Sequence, residues 1–143
     1  MNVEIILKEK GDAVCCIEPD ATVYEALEIM AKKNIGALLV MQEDKIVGII
    51  TERDYSRKLI LKGLYSKETA VRDVMTAEVC YVTKKRGAHE CMALMTERRF
   101  RHLPVIDDGK LIGLVSMGDV VKCIIDEQDH EIADYENYIH GWY

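Results

Sequence analysis

The signatures by which many enzymes announce themselves are missing from this chain. There is no CxxC pair, the spacing of thioredoxin-like redox motifs and of many zinc sites. The histidines at 89, 102, 130 and 140 fall in no HExxH or Cys/His zinc spacing. No GxSxG nucleophile turn and no GxxxxGK[ST] phosphate loop occurs. Long apolar runs are also lacking: no window approaches the ~18 consecutive apolar residues of a membrane span. The stretch from Met1 to Lys10 carries Glu4 and Glu9 and no long apolar core, so it does not read as a signal peptide. Excess positive charge is absent too. Lys and Arg number 19 against 25 Asp and Glu, a net charge of −6, which argues against binding a nucleic-acid backbone.

What is present is an ordinary globular composition. Of 143 residues, 49% are apolar and 31% charged, enough for one or two compact units. The cysteines at 15, 16, 80, 91 and 123 are odd in number and mostly lie in apolar runs. They read as small core residues in a reducing compartment, with the cytoplasm as the expected location.

The most informative feature is an internal repeat. Val14–Leu59 lies over Val79–Ile124 without a gap, at a constant offset of 65 residues. Ile46-Val47-Gly48-Ile49-Ile50-Thr51 faces Leu111-Ile112-Gly113-Leu114-Val115-Ser116, and Leu38, Val40, Lys45 and Asp54 recur as Leu103, Val105, Lys110 and Asp119. Each copy predicts the order β-α-β-β-α. A short strand (Val14–Ile17; Val79–Val82) precedes a helix of roughly 22–33 and 87–98. The apolar face of that helix, Val23, Ala26, Leu27, Met30 and then Ala88, Cys91, Met92, Met95, has i, i+3, i+4, i+7 spacing. Two strands follow, 37–41 with 46–50 and 102–106 with 111–115. They are joined by the turn-forming Gln42-Glu43-Asp44 and Asp107-Asp108-Gly109. A second helix closes each copy, roughly 52–62 and 117–127. The fold class is therefore α+β, two half-domains packed about a pseudo-twofold axis. Its parts are an N-terminal segment 1–13, repeats 14–61 and 79–126, a linker 62–78 and a tail 127–143. Ile132, Tyr135 and Ile139 at i, i+3, i+7 predict a short terminal helix packed on the body or on a second subunit, with a frayed acidic tail as the alternative.

Each copy carries the pattern Gly-h-h-[Thr/Ser]-x-x-Asp, where h is apolar: Gly48 to Asp54 and Gly113 to Asp119. The pattern sets a hydroxyl at a strand's end and a carboxylate in the first helical turn. Free N–H groups and the positive helix end there suit a phosphate, and the carboxylate can accept ribose hydroxyls. The same spacing also makes a helix capping box, and both roles fit one helix end. Gly48 and Gly113 serve either a bulge or the close approach of a ligand.

This tandem repeat and its motif resemble the CBS domain pair, or Bateman module, named for cystathionine β-synthase. Arg101-His102-Leu103-Pro104-Val105 resembles the family's hairpin strand. Thr51 to Lys58, Val71 to Thr76 and the tail Glu136-Asn137-Tyr138-Ile139 resemble small stand-alone two-repeat members of bacteria and plant organelles. The resemblance implies a non-catalytic regulatory module that binds adenine nucleotides (AMP, ADP, ATP or NAD(H)) in clefts between the repeats. It also implies a homodimer and a separate downstream protein, with no catalytic residue, metal or catalytic cofactor. Carried over, the first site takes Thr51, Arg53, Asp54, Arg57, Met75, Thr76, Val79, Cys80 and Arg101. The second takes Lys10, Val14, Cys15, Gly36, His102, Ser116 and Asp119. Arg53, Arg57 and Lys58 surround the first helix start where Met117, Gly118 and Val121 surround the second, so phosphate is expected to prefer the first. An interaction scaffold without a ligand is the alternative function.

Overall fold

The computed structural model describes residues 1–11 and 13–140. The remaining positions of the 1–13 segment and of the 127–143 tail, Asp12 and 141–143, lie outside the described residues. In chain order the elements are α1 (Val3–Lys10), β1 (Cys16–Ile17), α2 (Val23–Lys33), β2 (Ala37–Gln42), β3 (Lys45–Thr51), α3 (Glu52–Asp54), α4 (Ala88–Arg98), β4 (His102–Asp107), β5 (Lys110–Ser116) and α5 (Met117–His140). A π-helical stretch Tyr55–Leu59 and a 3-10 turn Ile60–Lys62 continue α3, and a further 3-10 turn spans Val71–Asp73. The chain forms two compact units, Ala13–Val79 and Met1–Asp12 with Cys80–Tyr143.

In the unit Ala13–Val79, Thr22 opens α2 by accepting a hydrogen bond from the Glu25 N–H at 3.1 Å, and Asn34 ends it in the left-handed conformation, φ 54°. The helix buries Val23, Ala26 and Met30 against a sheet of order β1-β2-β3. β1 runs parallel to β2, and β2 antiparallel to β3. The β2–β3 turn is made of Glu43 and Asp44 alone, at φ 49° and 65°. Two successive left-handed residues match the twist of a tight hairpin. The stretch expected as a linker belongs to this unit and adds two residues to its apolar core. Val71 and Val74 are fully buried, the Val71 N–H donates to the Ala21 carbonyl, and Thr76 pairs with Ile49 in both directions.

The second unit repeats the hairpin and first helix. α4 buries Ala88, Cys91 and Met95, and β4 and β5 turn through Asp108 and Gly109, φ 50° and 74°. Its expected first strand, Val79–Val82, is reduced to one parallel bridge of Val82 with Val105. Residues 77–81 form no bridge, and the first unit ends among them, at Val79. α1 completes this core with Val3, Ile6 and Leu7, and the Val3 and Glu4 N–H groups donate to the Arg86 and Lys84 carbonyls.

The second helices diverge. In the first copy the helix changes pitch at Tyr55 and stops at Gly63, φ 70°. In the second copy Gln128 holds the position of Gly63, and α5 continues unbroken to His140. The short separate terminal helix is thus corrected to an extension of α5. Ile132, Tyr135 and Ile139 are exposed rather than packed on the body.

Candidate functional site

Both motifs form the same corner at the end of a hairpin strand. In each hairpin one residue, Val47 or Ile112, is left out of the pairing, a bulge that turns the strand beside the motif glycine. A Cβ on Gly48 would lie 2.7 Å from Met75 Sδ and 2.9 Å from the Thr76 carbonyl oxygen; one on Gly113 would lie 2.5 Å from a Leu7 methyl. The glycines therefore admit the protein's own packing.

At the first corner, Thr51 Oγ1 accepts from the Asp54 N–H at 3.1 Å, and Asp54 Oδ2 accepts from the Thr51 N–H at 3.0 Å, completing a capping box. The Thr51 hydroxyl also lies 3.1 Å from Oδ2, and the Thr76 hydroxyl donates to Oδ1 at 3.1 Å. Lys58, one helical turn on, sits 3.1 Å from Oδ1 and 3.3 Å from Thr76 Oγ1. Asp54 is 7% exposed, and both its oxygens are occupied. The sequence reading missed Lys58 as the partner of Asp54, although the i, i+4 spacing of the two carries that signal.

At the second corner, Asp119 Oδ2 accepts from the Ser116 N–H at 2.8 Å while Ser116 Oγ accepts from the Asp119 N–H at 3.1 Å. Lys10 arrives from α1, 2.6 Å from Oδ2, and also donates to the Leu114 carbonyl at 2.9 Å. Both contacts to the carboxylate, from the Ser116 N–H and from Lys10, fall on Oδ2. Two lysines from unrelated places in the chain, Lys58 within the first repeat and Lys10 ahead of it, thus reach the equivalent carboxylate.

The predicted residues separate by unit. Thr51, Asp54 and Thr76 come together, with Met75 beside Gly48, whereas Arg53 and Arg57 are exposed and outside the hydrogen-bonded corner. Val79 is half-buried at the unit's end, and Val14, Cys15 and Gly36 lie in this same unit. Cys15 offers its carbonyl to Leu39, and Gly36 offers its own to Glu52. Lys10, Cys80, Arg101, His102, Ser116 and Asp119 lie in the other unit. There, Arg101, His102 and Ser116 line one open depression of about 580 Å³, together with Met117, Val121 and Lys122. Asp119 and Lys10 line a separate recess of about 70 Å³. The depression joins Arg101 of the first predicted set to His102 and Ser116 of the second, and adds Met117 and Lys122, which carried no motif signal.

Electrostatics follow the packing. Burial would raise the Asp119 carboxyl. The hydrogen bonds from Lys10 and from the Ser116 N–H and hydroxyl, with the Lys10 charge, outweigh it and hold the group below its ordinary value of 3.8. His102 lies below 6.5, first because it is buried and then because Lys10 and Arg101 disfavour its cation; Asp119 opposes them. Among the described residues no group of three or more His, Cys, Asp or Glu is placed to hold a metal ion.

With the repeat, the hairpins and both corners in place, comparison with known proteins defines the class. The CBS domain model matches residues 11–61 and 71–126, and the chain belongs to the CBS domain family. It is 42% identical over 152 aligned positions to the CBS domain-containing protein CBSX3, mitochondrial, of Arabidopsis thaliana, covering 99% of this chain and 73% of that protein. The CBS domain-containing proteins CBSCBSPB5 and CBSCBSPB4 of Arabidopsis thaliana are longer, and the chain spans about 20% of their length. Among solved structures, the CBS domain NE2398 is 53% identical with a TM-score of 0.83, covering 87% of this chain and 98% of that one. A protein with CBS domains from Burkholderia ambifaria MC40-6 is 51% identical with a TM-score of 0.85, covering 90% and 96%. CBS-domain pairs are generally regulatory modules, and CBS domains in general bind adenosine-containing ligands.

Proposed function

We propose that this chain is a non-catalytic regulatory module that binds an adenine nucleotide, one of AMP, ADP, ATP or NAD(H), chiefly through its second repeat. The observation that carries the reading is the depression of about 580 Å³ beside the start of α5. It falls within the ~300–1,000 Å³ of small-molecule sites and offers the right chemistry. Arg101 and Lys122 supply positive charge for phosphate, Ser116 supplies a hydroxyl, and Met117 and Val121 supply an apolar wall for a base. Asp119, one turn away, accepts ribose hydroxyls at Oδ1, which Lys10 and Ser116 leave open. The first repeat offers Thr51, Asp54 and Thr76, but a ribose there must displace Lys58 from an almost buried carboxylate. This geometry favours filling of the second corner first, against the order expected from Arg53 and Arg57.

In this reading the module works as a homodimer in a reducing compartment, the cytoplasm. Ligand favours whichever arrangement binds it better, and a separate protein receives the signal. A thermal-shift series with the four nucleotides tests the proposal. Ligand at 100 times its Kd adds ~2.7 kcal/mol, a rise of several degrees for a chain of this size. Ser116→Ala and Arg101→Ala shrink that rise. No shift with any of the four overturns the reading and leaves an interaction scaffold.

A further inference from the structure

The unit that carries α5 holds a further cavity, of about 440 Å³. That volume lies toward the lower end of the ~300–1,000 Å³ range of small-molecule sites. The cavity shares no lining residue with the depression beside α5 or with the recess at Asp119. His102 and Ser116 pair at one end of the β4–β5 hairpin, and Asp107 and Lys110 pair at the other. The cavity lies toward the second end, with Asp107 in its wall. Five residues, or roughly 17 Å of strand, separate His102 from Asp107. The repeat does not duplicate this feature. The offset of 65 puts Pro19 and Gln42 where the second copy has Lys84 and Asp107, and Glu4 and Lys8 come from α1, ahead of the first repeat.

α1, the loop at Lys84 and the hairpin build the walls. The first turn of α1 is fixed in place, because the Glu4 N–H donates to the Lys84 carbonyl at 3.0 Å. The hairpin contributes Ile112, the residue that its bulge leaves unpaired, and a bulge re-aims a side chain in this way. Leu7 and Ile112 form the apolar part of the lining. Around them stand four charges in two pairs. Lys8 lies 3.6 Å from Glu4, and Lys84 lies 3.3 Å from Asp107. Glu4 also acts on Lys84. The Asp107 hydrogen bond and charge, then the Glu4 charge, hold that ammonium above its ordinary 10.5. Both pairs are open to water, so each contributes little to the fold and exchanges partners easily. The four charges cancel. A simple anion meets two carboxylates here, and a simple cation meets two ammonium groups. A molecule that carries both charges, beside an apolar group, satisfies every wall.

We propose that this cavity binds a free α-amino acid with an apolar side chain. Its carboxylate accepts from Lys8 and Lys84, its ammonium donates to Glu4 and Asp107, and its side chain lies over Leu7 and Ile112. The site is separate from the nucleotide site and does not depend on it.

Amide chemical-shift titration by NMR on the full chain tests it, with L-leucine as the probe. Leucinamide lacks the carboxylate, isocaproate lacks the ammonium, and glycine lacks the side chain. Leucine at about 10 mM, ten times a ~1 mM Kd, shifts the amides of Glu4, Lys8, Lys84, Asp107 and Ile112. The three analogues bind at least tenfold more weakly, each having lost a charged contact or the apolar one. Lys84→Met and Asp107→Asn each raise the Kd for leucine tenfold or more, while Lys32→Met, at an exposed lysine of the other unit, leaves it unchanged. Should Asp107→Asn fail to fold, Glu4→Gln takes its place with the same outcome. No shift with leucine overturns the proposal. So do shifts confined to other residues, an analogue that binds as tightly as leucine, or an unchanged Kd in Lys84→Met and Asp107→Asn. Nucleotide-induced thermal shifts persist in Lys84→Met, so a failure of this site is distinct from a failure of nucleotide binding.

Discussion

Asp54→Ala tests what the almost buried corner contributes to the fold. The substitution removes the acceptor for the Thr51 N–H at 3.0 Å, the Thr76 hydroxyl at 3.1 Å and the Lys58 ammonium at 3.1 Å. Loss of the capping interaction costs ~1 kcal/mol. A partly buried N–H and hydroxyl left without partners add ~1–3 kcal/mol. Lys58 is 39% exposed and recovers most of its hydration, so it adds little. The expected loss is about 2–4 kcal/mol, or roughly 6–12 °C in Tm for a chain of this length. Asp119→Ala makes the same chemical change at a corner where the carboxylate is 24% exposed and Lys10 is 34% exposed. There the loss should be about 1–2 kcal/mol. Urea titrations followed by circular dichroism measure both. If Asp54→Ala loses less than Asp119→Ala, the difference in burial does not govern these corners and the argument fails. Asp54→Asn, which keeps an acceptor oxygen, should fall between wild type and Asp54→Ala.

Further predictions rest on other parts of the molecule. Gly48→Ala drives a methyl against the Thr76 carbonyl and Met75 and should cost ~1–3 kcal/mol; Gly113→Ala should cost less, since a Leu7 side chain can turn aside, and urea midpoints give the order. His102 resists protonation when folded, so the unfolded chain takes up the proton first as pH drops below 6.5 and stability falls there. His102→Gln should flatten that part of a Tm-against-pH curve. The depressed Asp119 carboxyl acts lower down: its contribution is present above 3.8 and is lost as pH falls through its folded value, and Lys10→Met should reduce that loss. Cys16 is exposed, whereas Cys91 is buried and pushed up to about 11 by that burial. Alkylation of native protein should mark Cys16 before Cys91, and a Cys91 that reacts as fast without denaturant would refute the packing.

The regular elements were legible because the offset of 65 carries burial as well as residue type. α2 and α4 begin at Val23 and Ala88, and the hairpins run from Ala37 and His102 to Thr51 and Ser116, each pair one offset apart. Periodicity identified Val23, Ala26 and Met30, and paired apolar stretches joined by turn residues set both hairpins. The departures arise where tertiary context decides. The π-helical stretch at Tyr55–Leu59 has no signature in residue type. The unbroken run of α5 depends on a single non-glycine at Gln128, and Gly63 at the matching place ends its counterpart. At the site, the hydroxyl–carboxylate corners were readable from spacing. The division of Ser116 and Asp119 between a large depression and a small recess was not, since it depends on where α1 brings Lys10.

α1 has a consequence for how the protein comes into being. Val3, Ile6 and Leu7 sit in a core otherwise supplied by residues after Cys80. During synthesis the unit Ala13–Val79 is complete as soon as it leaves the ribosome, while the first helix must wait for the last strands before it has anything to cover. Shortening the front of the polypeptide would therefore damage its rear half, and an injury there would reach the Ser116–Asp119 corner through the loss of Lys10.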